Sequence, residues 1–253
     1  MSSKEQQHSS QPDPVSVILI AYNEAEVIKK EVEGFYREVV EKLPGSELIV
    51  AEDGSTDGTS EILFGLAERL PIRLIQGRER KGYKQALLDS LELAHFDWIL
   101  FSDTGVKFYP HNFWELEKLR DRADLIIGVK KNRSDQYYRR IITKVFNFLV
   151  RSYFKIEVSD IDSGFRVFRR EIGLKVAQEQ LLFNDLINSE MSLRMLALGA
   201  RLAEIPVAYR LRQGKSRGLP LKRIPKVIIR TLVLFPRLKK EFKRLEAAQV
   251  DRN

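Results

Sequence analysis

The stretch VSVILIAYNEAEVIKKEVEGF, residues 15–35, contains a complete strand-to-helix unit. Residues 15–21 are apolar except for Ser16, as in a strand covered on both faces. Asn23 in the polar turn is expected to cap the following helix, with Glu26 at its third position. Ile28, Val32, Phe35, Val39 and Leu43 then form one apolar stripe that stops at Leu43-Pro44-Gly45.

The same alternation continues downstream. ELIVAE (47–52), IRLIQ (72–76), DWILFS (97–102) and DLIIGV (124–129) read as strands. Asp57 or Thr59 is expected to cap the helix after the second strand, and Ala86, Leu87, Ser90, Leu91 and Ala94 line another. Strand, helix, strand, helix implies an α/β chain with a parallel sheet and right-handed crossovers. From about Arg139 the character changes to IITKVFNFLVRSYFKI, apolar and basic together. GFRVFRR (164–170) and ARLAEIPVAYRL (201–212) look like further strands, and 171–180 and 186–198 like helices.

Composition narrows the setting. With 253 residues, 43% of them hydrophobic, the chain can bury one large core. The absence of cysteine excludes disulfides and thiolate chemistry, and suits a cytoplasmic location. Residues 1–14 are polar and read as a disordered lead-in without the apolar core of a signal peptide. No stretch reaches the roughly 18 apolar residues a spanning helix needs. The net charge is +8, and residues 201–253 hold 15 Lys/Arg against 4 Asp/Glu, so the basic character belongs to the tail. The expected organisation is a lead-in at 1–14, a main domain at 15–219 that includes an amphipathic segment at 136–156, and a basic helical tail at 220–253.

In open parallel sheets ligands sit beyond the carboxyl ends of the strands. The first strand delivers AYNEAE there, the second EDGSTDGT and the fourth SDTGVK. Tyr22 can stack on a base, Glu24 and Asp53 can accept hydrogen bonds from a base or ribose, and Asp103 can reach a metal or ribose. Each piece has a plain alternative: DGSTDG is also ordinary turn chemistry. Order and spacing together favour a nucleotide crevice.

VSVILIAYNE, IVAEDGSTDGT, RKGYKQALLDSLELAHFDWILFSD, SDIDSGFRVFRR and EIPVAYRLRQGKSRG resemble the family 2 glycosyltransferases of the GT-A fold, over roughly residues 15–235. With YRRIITKVFNFLVRSYF between them, the last two look most like the dolichol-phosphate and polyprenyl-phosphate sugar synthases. The resemblance implies a GT-A fold, a Rossmann-like, mostly parallel sheet flanked by helices, with C-terminal amphipathic helices. It further implies that Ala21, Tyr22, Glu24 and Asp53 hold the nucleotide, that Lys81 and Gly82 lie beside it, and that Glu190 is an acid on the acceptor side. The implied reaction moves a sugar, with inversion, from a UDP- or GDP-linked donor to a polyprenyl or dolichyl phosphate.

One departure stands out. The family's D-x-D, which holds Mg2+ or Mn2+ against the donor diphosphate, is here Asp103-Thr104-Gly105. Either Asp103 alone holds the metal, aided by phosphate and water, or Lys107 partly replaces it. The lost acid also leaves a second reading open, a non-catalytic binder of nucleotide sugars. Arg210, Arg212, Lys215 and Arg217 surround a glycine loop suited to phosphate oxygens, and Arg166 is a further phosphate candidate. A lipid phosphate acceptor is already a dianion at neutral pH and needs no general base, whereas a sugar hydroxyl would need one, from Asp162 or Glu190.

Segments 139–156 and 221–246 mix apolar and basic residues and can lie on an anionic, cytoplasmic membrane face, or can simply be helices with basic outer sides. An oligomer is compatible with these features. The D-T-G at 103 and D-S-G at 162 also occur in aspartic proteases, but that fold is all-β and the helical stripes here argue against it. Nucleic acid is not an expected partner, because the basic tail lacks interleaved aromatics and a known motif.

Overall fold

The computed structural model describes residues 12–77, 79–131, 137–212 and 221–250. Its centre is a seven-stranded sheet. β1 (Val15–Ala21), β2 (Glu47–Glu52), β3 (Ile72–Gln76), β4 (Trp98–Asp103), β5 (Leu125–Lys131), β6 (Phe165–Arg169) and β7 (Leu202–Ala208) lie in the order β3-β2-β1-β4-β6-β5-β7. β1 pairs in parallel with β2 and β4, β2 with β3, and β5 with β7. β6 is antiparallel to both β4 and β5, so the sheet is mostly parallel rather than wholly so. Strand-helix alternation does not reveal this reversal, because β6 is reached from a long helix and a turn and not by a short crossover.

The helices are α1 (Ile28–Phe35), α2 (Thr59–Ala67), α3 (Tyr83–Leu93), α4 (Phe113–Glu117), α5 (Tyr137–Phe154), α6 (Arg170–Ala177), α7 (Ile187–Ala197) and α8 (Ile224–Val250). The pleat of β1 sends Val15, Val17 and Leu19 to one face, where α1, α2 and α4 cover them, and Ile18 and Ile20 to the other. That second face is covered by α3 and α7, together with Val150 and Phe154 of α5 and Phe235, Leu238 and Phe242 of α8. The C-terminal half of α8 therefore shares the core of the sheet.

The stripe Ile28, Val32, Phe35, Val39 and Leu43 is fully buried, although the helix widens into a π-type turn over Tyr36–Val40. The expected cap is not formed. α1 begins at Ile28 without a side-chain cap, while Asn23 takes a left-handed conformation (φ 55°) and its Oδ1 accepts the Thr56 N–H at 2.7 Å. Asn23 ties two strand-end turns together instead of starting a helix. Asp57 does reach α2: its Oδ1 accepts the Thr59 N–H at 3.2 Å. Among the described residues no helix is long and apolar enough to cross a membrane.

Candidate active site

Strand register brings the chemically rich turns side by side. Ala21 of β1 lies opposite Glu52 of β2, and Ile20 lies opposite Asp103 of β4, so the residues that follow these strands open on one edge. Asp53, buried at 4% exposure, accepts the Lys81 N–H at 2.8 Å and the Gly82 N–H at 2.9 Å. This carboxylate thereby pins the turn before α3 against the end of β2. The Arg80 guanidinium lies 3.9 Å from the centre of the Tyr22 ring and 3.8 Å from Asp53. Tyr22, Asp53, Lys81 and Gly82 thus form one continuous wall. Lys81 contributes its amide there, while its exposed ammonium pairs with Asp89 at 3.1 Å.

Asp103 ends β4 at the next position. Its Oδ1 accepts the Tyr83 hydroxyl at 2.9 Å, and its Oδ2 faces the Lys107 ammonium at 3.0 Å. Burial pushes the Asp103 carboxyl up, but the Lys107 charge and the two hydrogen bonds outweigh it and hold the group below its ordinary value. Burial, followed by the Asp103 charge, pushes the Tyr83 hydroxyl well above its own. Gly164 is required here because a Cβ would fall inside the Asp103 carboxylate.

The turn after Asp103 is held from below. Glu31 Oε2 accepts the N–H of Gly105 at 2.7 Å and of Val106 at 3.1 Å. Burial raises the Glu31 carboxyl to about 7 despite those two bonds, and its Oε1 has no hydrogen-bond partner among the described residues. Gly105 has φ 105°, and a Cβ there would meet the Arg212 guanidinium at 2.7 Å. Arg212 in turn donates to Glu24 Oε1, which ties the end of β1 to the segment after β7. Lys215 and Arg217 lie outside the described residues.

From this edge a cavity of about 730 Å3 runs between α5 and α8. Lys107, Lys130, Asp162 and Arg212 stand at its polar end, and its walls are apolar, among them Phe146, Leu149, Val227 and Phe235. Asp162 accepts the Ser189 hydroxyl at 2.8 Å, and burial raises its carboxyl to about 6 against that bond and the nearby Lys130 and Arg166 charges.

Two candidates from the sequence are placed elsewhere. Arg166 is 2% exposed and donates to Asn188 O at 2.9 Å, Ser192 Oγ at 2.6 Å and Ser163 O. It braces the wall behind the cavity and does not present its guanidinium to a phosphate. Glu190 is 0% exposed; its oxygens accept the Leu182 and Phe183 N–H groups and the Arg194 guanidinium at 2.7–2.9 Å. Glu190 is not among the residues that line the cavity. Lys130, Tyr83 and Glu31 went unnoticed in the sequence. Lys130 is the penultimate residue of β5, an interior strand, Tyr83 follows the Lys-Gly pair, and Glu31 is a carboxylate inside an apolar stripe, a misfit that could have marked it.

Known proteins are similar to this chain in sequence and in fold. Glycosyltransferase AglD of Haloferax volcanii is 32% identical over 205 residues, which cover 77% of this chain and 33% of that protein. A dolichol-phosphate mannosyltransferase of Pyrococcus furiosus is 27% identical over 80% of this chain and 58% of its own. The chain thus spans between 33% and 60% of the length of such relatives. Among solved structures, glucosyl-3-phosphoglycerate synthase of Mycobacterium tuberculosis, in complex with Mn2+, UDP and glucosyl-3-phosphoglycerate, superposes with a TM-score of 0.66. That superposition covers 87% of this chain and 79% of the other at 19% identity, and so bears on the fold. The family model described as Glycosyl transferase family 2 matches residues 16–174, a span that contains the three strand-end turns, Asp103 and Asp162, and the chain belongs to that family.

Proposed function

We propose that the chain transfers a sugar from a nucleoside-diphosphate donor to the phosphate of a polyprenyl phosphate, with inversion at the anomeric carbon. The observation that carries this reading is the cavity between α5 and α8: its walls suit an isoprenoid chain, and its polar end meets the strand-end turns. Ala21, Tyr22, Glu24, Asp53, Lys81 and Gly82 form the nucleotide side. Lys130 stands where an acceptor phosphate would arrive.

A phosphate monoester is mostly dianionic at pH 7, so the acceptor attacks without a general base. Its oxygen forms the new bond to the anomeric carbon as the bond to the donor diphosphate breaks, and that electron pair leaves on the diphosphate oxygen. Attack opposite the leaving group gives inversion, and the fold's contribution is position and charge. Exposed apolar residues of α5 and α8, Phe148 and Val233 among them, lie among basic ones on the outside of the same cavity. They support seating on a membrane surface with the cavity mouth toward the lipid.

The solved relative contains Mn2+. In this chain a metal would have Asp103 as its carboxylate, with Lys107 3.0 Å from the oxygen it would use. Position 105 has no side chain, and the space beside it is filled by Arg212. Among the described residues no group of three His, Cys, Asp or Glu could hold a metal. Asp103 is therefore the carboxylate these residues would offer Mg2+ or Mn2+, with diphosphate and water completing the shell, and Lys107 competes for it.

The function is tested by offering UDP-, GDP- and dTDP-sugars with polyprenyl phosphate and analysing the lipid fraction for a glycosylated product. Turnover with at least one donor is expected. Binding of nucleotide without any lipid product would overturn the acceptor assignment.

A further inference from the structure

We infer that Lys107 and Arg212 form a two-cation clamp that neutralises the donor diphosphate and does the work of a divalent metal. The inference deepens the proposed function and rests on its placement of the donor. Both residues line the polar end of the cavity. Each reaches back to the strand-end turns through a carboxylate: Lys107 to Asp103 at the end of β4, Arg212 to Glu24 after β1. The point of sugar transfer lies between the nucleotide wall and the acceptor cavity, and these two cations span that junction.

The local backbone supports the same assignment. Gly105 N–H and Val106 N–H are both drawn down to Glu31, which fixes the turn that carries Lys107. Arg210, two residues before Arg212, donates to Val106 O and its own N–H bonds Lys107 O at 3.0 Å. The segments bearing the two cations are therefore laced together. An aspartate at position 105 would need a strained positive φ and would displace the guanidinium, whose nearest atom lies 2.7 Å from the Cβ position, so the second acid of a metal clamp and the present seat of Arg212 compete for one space.

An ammonium carries three N–H donors, so the Asp103 contact does not saturate Lys107. As the anomeric bond breaks, the electron pair settles on the diphosphate oxygen, and fixed positive charge there stabilises it with little reorganisation. The carboxylates Glu24 and Asp103 hold the cations in place before the donor arrives.

The test is calorimetric binding of UDP and GDP, and of uridine and guanosine, with EDTA and with added MnCl2. Affinity for the preferred diphosphate is expected to stay within about twofold in EDTA. K107Q and R212Q are each expected to weaken it roughly tenfold, as loss of a charge-assisted contact does, with nucleoside binding nearly constant. R212K is expected to recover part of the loss, and thermal melting checks that each variant is folded. Affinity that vanishes in EDTA and returns with Mn2+, or folded K107Q and R212Q proteins that bind diphosphate as the parent does, would overturn the clamp. Chelator-insensitive, clamp-dependent binding without transfer to polyprenyl phosphate would sink the acceptor assignment and leave the clamp standing.

Discussion

Asp53, the residue after β2, accepts the backbone N–H of Lys81 at 2.8 Å, joining two turns 28 residues apart. Gly82 donates to the same carboxylate at 2.9 Å. Asp53→Ala leaves both amides without this partner and frees the turn beneath Arg80 and Tyr22. UDP or GDP binding is expected to weaken by roughly tenfold or more, the scale of losing buried hydrogen bonds to a charged group. Isothermal titration measures it, and unchanged affinity would remove Asp53 from the donor site.

Glu190 and Arg194 pair at 2.8 Å with 0% and 1% side-chain exposure. Removing one partner of such a pair strands a buried charge, at about 3–5 kcal/mol. Glu190→Ala is therefore expected to lower the urea midpoint strongly, whatever acceptor is offered. A folded, equally stable variant with only acceptor affinity lost would restore the role the sequence suggested.

The sheet was legible because its strands are short apolar runs with unbroken boundaries: residues 15–21, 47–52 and 72–76 form strands at the limits their patterns imply. The three strand-end turns were legible for the same reason, since parallel topology fixes which ends meet. What patterning could not give is where long side chains go. Arg166 and Glu190 look like site residues in a string of letters, yet burial turns one toward carbonyls and the other toward amides. Nor does spacing show that Arg212, 107 positions beyond Gly105, comes back to fill its side-chain space. The Asn23 cap failed because Thr56 competes for the same oxygen from a neighbouring turn.

Burial raises Glu31 from an ordinary 4.5 to about 7. The folded protein then holds this proton more tightly than the unfolded chain. The stability contribution is full below about 4.5 and is lost as pH rises toward 7, a change on the order of 3 kcal/mol. Denaturant unfolding between pH 5 and 8 is expected to show declining stability, and Glu31→Gln is expected to flatten that decline. An equally steep profile in the variant would assign the effect to another group.

Asp162, raised to about 6 mainly by burial, separates the two acceptor chemistries. A hydroxyl acceptor needs it ionised, so turnover would rise with pH through about 6. A phosphate acceptor gives a similar rise by its own second ionisation, so the pH profile alone is uninformative. Asp162→Asn resolves the two. With polyprenyl phosphate, turnover is expected to persist within about tenfold, the range for a residue near the site but not transferring a proton. A loss of more than about a hundredfold would make Asp162 a base.

Ile141, Val145 and Phe148 follow one another at helical spacing on α5, at 44–59% exposure, the first two on the cavity's lining, and Ile229 and Val233 do so on α8 at 63% and 70%. Exposed basic residues flank them, including Lys144, Lys226 and Arg230. Apolar insertion of a side chain contributes up to about 1.5–3 kcal/mol, and each nearby basic residue about 1 kcal/mol on an anionic surface. The chain is therefore expected to co-sediment with vesicles containing anionic lipid, less with neutral ones, and less again as salt is raised. Replacing Phe148 and Val233 together with Ser is expected to reduce partitioning by at least roughly tenfold, since the apolar surface that both insert into the headgroup layer is lost. Because neither side chain lines the cavity, nucleotide binding should be untouched, which separates docking from donor recognition. Vesicle binding that survives the double replacement but disappears on neutralising α8 alone would mean that charge, without insertion, holds the protein to the surface, and the cavity mouth would then have no fixed orientation toward the lipid.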